Sequence, residues 1–230
     1  MMPVMRLGGA VLALVVGLFA LGGAEAQTLL DFVTFDGIDY IRWAEEPGRV
    51  LTPSDLGPEF ATVGCSVGED RRGCPFGLDA AAAFMPAGTR MYTVRGHPTH
   101  FRLAAVWRDR IFLYQAWLNP RAKVGGDLLA IAGKMRSIDV QRGEPATVAA
   151  RTPTTITAPA DAAALVDMVL HGTVRRPLPH PFSEPRFWLT FWLADGTTLG
   201  RPYFVETREL MGGVVLPVEF RRILDRYLGE

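Results

Sequence analysis

Lysine is nearly missing from this chain of 230 residues: Lys123 and Lys134 are the only two, although arginine is plentiful. That bias reflects coding preference more than chemistry. Charge of one sign is also missing, because 24 basic residues stand against 24 acidic ones. A neutral chain does not draw phosphate backbones from a distance, so nucleic acid is excluded as a partner class. Cysteine is as scarce as lysine, with Cys65 and Cys74 alone. Two cysteines with no further Cys or His at ligand spacing leave no zinc-binding pattern. No serine sits in a Gly-x-Ser-x-Gly elbow, and Gly125-Gly126 and Gly212-Gly213 lack the lysine and strand-to-helix setting of a phosphate loop. No cofactor is implied. Paired carboxylates such as Glu45-Glu46 and Glu69-Asp70 are neighbours in sequence and read as solvated loops.

Long apolar runs are absent too, with one exception at the start. Arg6 precedes an apolar stretch over 7–21, and small residues then lead to Ala24-Glu25-Ala26. A charged start, an apolar centre and an A-x-A ending are what export and signal cleavage require, so residues 1–26 read as a signal peptide. The alternative is an uncleaved anchor, which the shortness of the run disfavours. Loss of the leader removes one charge of each sign, Arg6 and Glu25, and leaves the remainder neutral. The expectation is a secreted or envelope-located protein without a membrane segment after cleavage. In that setting Cys65 and Cys74 are expected to form a disulfide, pinning a short loop.

What the chain does have is β-periodicity. Strands are expected over 91–95, 101–107 and 111–117, the last two joined by Arg108-Asp109-Arg110. Phe101, Leu103, Ala105 and Trp107 alternate onto one face. An earlier hairpin is expected around Asp36-Gly37. Thr52-Pro53 marks a helical turn ended by Gly57-Pro58, and a strand is expected over 60–65. The segment 79–85 is ambiguous between strand and helical turn.

From about Arg136 the pattern changes. Short strands are expected over 137–140, 146–149 and 154–157, and a helix over 160–170. Asp195-Gly196 lies between two apolar segments, 186–194 and 197–205, the strongest hairpin signal in the chain, with Pro202 pointing to an edge or bulge. An amphipathic helix over 217–228 closes the chain. The fold class is therefore α+β: a mainly antiparallel β domain over 27–133, then a smaller α+β domain over 134–230 with an antiparallel sheet and two helices.

The segments 51–57, 83–89 (Ala-Phe-Met-Pro-Ala-Gly-Thr), 92–96 (Tyr-Thr-Val-Arg-Gly) and 101–104 (Phe-Arg-Leu-Ala) resemble a domain of exported proteins from Gram-positive and related bacteria. Segments 119–123, 126–129 and 133–135 are similar to the lead into the second half of those proteins. No activity is known for that group, so the resemblance implies export and a shared fold but no catalytic residue. The stretch from Cys65 to Cys74 departs from the pattern, and any common role does not depend on it.

Candidate functional residues are few. Trp188 and Trp192 share one face of the aromatic strand and, with Tyr203, would make a stacking surface for a glycan or peptide; the alternative is that this face packs inside the protein. His97 and His100, three apart in a Pro-containing loop, would hold a metal given a third ligand such as Asp109 or His180. His171, at a helix end, is accounted for by the helix dipole. These patterns favour a non-catalytic binding or envelope accessory protein with a protein or glycan partner. The competing expectation is an envelope hydrolase or metal-dependent enzyme centred on His97 and His100.

Overall fold

The computed structural model describes residues 30–43, 47–70, 72–75, 77–143, 152–177 and 184–229. The expected leader, the expected strand over 146–149 and His180 lie outside them.

Strands β1 (Asp31–Phe35) and β2 (Ile38–Arg42) form the first hairpin. Asp36 and Gly37 turn it at φ 52° and 67°, the left-handed pair a two-residue turn requires. There follow β3 (Leu56–Thr62), β4 (Cys65–Ser66), β5 (Ala81–Ala82), β6 (Arg90–Val94), β7 (Arg102–Trp107) and β8 (Arg110–Leu118). Thr52 and Pro53 begin a 3-10 turn as expected, with Thr52 N donating to Asp55 Oδ2 at 2.7 Å. Gly57-Pro58 does not end the local structure, however. The chain passes straight into β3, and irregular pairing with β6 on both sides of Glu59 absorbs the proline.

These strands make one eight-stranded sheet in the order β3-β6-β7-β8-β2-β1-β5-β4. Its two outer members are consecutive in the chain. Val63 N bonds Thr89 O on the β6 side, and Gly64 N bonds Ala80 O on the β5 side. One bent stretch, 56–66, thus pairs at both edges, and the sheet closes on itself as a barrel. Pairing is antiparallel except between β4 and β5. Register places Val33, Tyr40, Ala116, Tyr114, Leu103, Ala105 and Met91 on the inner face, all buried.

The second half contains β9 (Met135–Arg142), β10 (Thr154–Thr155), helix α1 (Pro159–His171), β11 (Thr173–Val174), β12 (Arg186–Leu193), β13 (Thr198–Phe204), β14 (Glu209–Leu210), β15 (Val214–Val215) and helix α2 (Val218–Leu228). Its seven-stranded sheet runs β10-β9-β12-β13-β14-β15-β11. The fold is therefore α+β, mainly antiparallel sheet with two helices among the described residues. Pro202 is not on an edge strand. β13 has neighbours on both sides, and β14 pairs only with Tyr203 and Phe204, just beyond the proline that has no N–H to give.

The first sheet spans residues 31–118 and the second 135–215. A single contiguous core nevertheless runs through both, from Val33, Leu103 and Tyr114 to Leu189, Phe191, Leu199 and Phe220. Each such fully buried side chain contributes about 1.5–3 kcal/mol. No helix among the described residues is long and apolar enough to cross a membrane.

Candidate functional site

Among the described residues, a dense polar grouping lies where the two sheets meet. His97, in the loop between β6 and β7, has only 4 % of its side chain exposed. Its Nε2 lies 2.8 Å from Asp195 Oδ2, in the β12–β13 turn, so Nε2 carries the hydrogen and donates. Arg102 Nη1 is 3.3 Å from the same nitrogen. On the other side of the ring, Lys134 Nζ donates to Gly96 O at 2.6 Å and stands 3.5 Å from Nδ1. The turn is built for this contact: Gly196, at φ 82°, allows the reversal, and Asp195 Oδ1 accepts from Thr197 N and Oγ1.

Electrostatics follow from the packing. Burial lowers the His97 imidazole below its ordinary pKa, and nearby Arg102 and Lys134 push the same way against the Asp195 hydrogen bond. The ring is neutral at pH 7. Burial works to raise the Asp195 carboxyl, but the hydrogen bonds from Thr197 and His97 and the Arg102 charge outweigh it and hold it at about 2. This is a neutral imidazole clamped to an ionised carboxylate, arranged to join two loops.

Two wholly buried arginines extend the junction in opposite directions. Arg102, on β7, donates to Thr197 Oγ1 at 2.6 Å and to Thr198 O at 2.7 Å. Gln115 of β8 donates to the same carbonyl. Arg201, on β13, reaches back to Ala116 O of β8 at 2.7 Å. Each sheet thus sends a cation into backbone carbonyls of the other, which satisfies buried groups that packing alone would strand.

His100 does not join His97. It is half-buried, its charge interacts with Asp127, and Asp109 lies at the far end of β7. Among the described residues no cluster of three or more His, Cys, Asp and Glu side chains suited to a metal ion occurs. His171 Nδ1 bonds Asp167 O at 3.0 Å, within its own helix.

The aromatic trio is placed inside. Trp188 packs edge-on against Trp43 with ring centroids 5.0 Å apart and is 4 % exposed. Tyr203 is fully buried against Phe220 and Phe187. Trp192 is half-buried, its Nε1 donating to Asp139 Oδ2 at 2.7 Å. As placed, the three present no common open face for stacking. Cys65 and Cys74 are bonded, with Cα atoms 5.7 Å apart, and Asp70 caps the enclosed loop through Arg72 N and Gly73 N.

Arg102, Asp195, Lys134 and Arg201 were not singled out by sequence. They come from three separated segments of the chain, and only Asp195 carried a local signal, the Asp-Gly turn. Comparison with protein-family models, with curated proteins and with solved structures finds no match to this chain.

Proposed function

We propose that the chain is an exported, non-catalytic binding or cell-envelope accessory protein whose partner is a protein or a glycan. The observation that carries this reading is the use made of His97. Its Nε2 is committed to Asp195 and its Nδ1 faces an ammonium, so neither nitrogen is aimed at a nucleophile or an open position. The hydroxyl beside this contact, Thr197 Oγ1, already donates to Asp195 and accepts from Arg102. The leader pattern and the Cys65–Cys74 bridge support an oxidising, extracytoplasmic setting.

Elemental analysis of purified protein, with fractionation of the producing cells, tests this. The expected result is protein outside the cytoplasm with no stoichiometric metal. A stoichiometric metal lost on His97→Gln or His100→Gln substitution would overturn the reading in favour of the metal-dependent alternative.

A further inference from the structure

The end of the barrel opposite His97 has a different character. Register continues the inner face of the barrel past its apolar residues to Asp31, Arg42, Arg110, Phe112 and Trp107. Asp31 accepts from Tyr114 Oη at 2.8 Å and from Arg42 Nε at 2.7 Å, so both carboxylate oxygens are engaged. Burial, and Asp31 beside it, push the Tyr114 phenol up, so it remains a donor. The Arg42 guanidinium carbon lies 5.0 Å from the Phe112 ring centre and that of Arg110 5.2 Å from it. Arg108 lies 4.3 Å over Trp107, whose ring is 6.4 Å from Phe112. Three guanidiniums therefore gather on two half-buried rings, one of them paired with Asp31, and Asp109 is the exposed carboxylate in the turn between the other two. Arg108 and Arg110 are exposed and make no ion pair among the described residues.

The turn that presents them is unusual. Arg108 and Asp109 occupy it at φ 50° and 58°. Glycine or asparagine suits that conformation, and arginine does not. Residues held in sparsely populated backbone conformations cluster at active sites and ligand clamps.

We propose that this mouth of the barrel binds an acidic sugar, with Arg108 and Arg110 meeting its carboxylate and Trp107 and Phe112 meeting its C–H surface. A guanidinium matches a carboxylate with two parallel N–H donors, and the negative face of an aromatic ring matches the C–H flank of a pyranose. The surroundings disfavour other occupants. β7 pairs with β6 and with β8 along its length and offers no free edge to an added peptide strand, whereas β8 meets β2 over 115–118 alone, which makes a peptide the alternative that the polyglutamate control addresses. The chain has no net charge to hold a nucleic acid. The rings are half-buried beneath guanidiniums and do not project as a lipid anchor would. The assignment rests on the glycan branch of the proposed function.

The test is calorimetric titration of the intact protein with tetragalacturonate, with maltotetraose as the neutral control and polyglutamate as the peptide control. The acidic sugar is expected to bind at least about tenfold more tightly than either control. Arg110→Gln is expected to weaken it by about tenfold or more. Arg108→Gly should weaken it similarly while leaving the unfolding midpoint equal or higher, since glycine relieves the turn. No binding of the acidic sugar, tighter binding of polyglutamate, or binding untouched by both substitutions would overturn the assignment. Binding of a different glycan that survives both substitutions would sink this site and leave the broader proposed function standing.

Discussion

A buried histidine with a carboxylate on one nitrogen and an ammonium near the other is a pH-sensitive joint. Because folding disfavours the charged imidazole, the contribution of His97 is complete above the ordinary histidine pKa of about 6.5 and declines as pH falls below it. Asp195 acts lower on the scale: its carboxyl is depressed to about 2, so its contribution is complete above about 4 and declines between there and 2. Between pH 7 and 5 the urea midpoint of the native protein should therefore fall through His97. In His97→Gln, which can still donate to Asp195, the fall should be shallower. Identical slopes in the two proteins would show that the ring carries no such penalty. At this scale the sequence was least informative. His97 was visible as a loop histidine, but Asp195 is 98 positions away in the chain, and nothing local links them.

Among the elements, the hairpins and helices were legible because their causes are local. Asp-Gly turns favour left-handed backbone, and the structure places Asp36, Gly37 and Gly196 in it. The helix expected over 217–228 runs over Val218–Leu228, with Pro217 at its N-cap position and Gly229 ending it at φ 74°. The short strands β11, β14 and β15 were not legible, since two residues carry no period and exist only by pairing with neighbours. The tight approach of α1 to the connection between β8 and β9 was equally hidden. A Cβ on Gly125 would stand 1.8 Å from Val169 O of that helix. Gly125→Ala should force the loop away from the helix and lower stability by about 1–3 kcal/mol, the usual range for overpacking. Chemical denaturation of the variant checks this, and a loss within error of zero would mean that the segment moves freely.

For the molecule as a whole, two sheets sharing one core, Arg102 and Arg201 crossing in opposite directions and the His97–Asp195 contact predict a single cooperative unit. Unfolding followed by tryptophan fluorescence and by far-ultraviolet circular dichroism should give coincident transitions. Separate midpoints would mean that the barrel and the second sheet stand alone. By itself the sequence determined the α+β class, the hairpins and the nearby cysteine pair, because turn chemistry, period-two alternation and short loop closure act within a few residues. Only the tertiary structure decided that residues 56–66 close the barrel, that Trp188 and Tyr203 face inward, and that Arg102, Asp195 and Lys134 converge. Those outcomes depend on which surfaces meet, and the free energy of burying one face against another is a property of the pair, encoded in neither partner's local pattern.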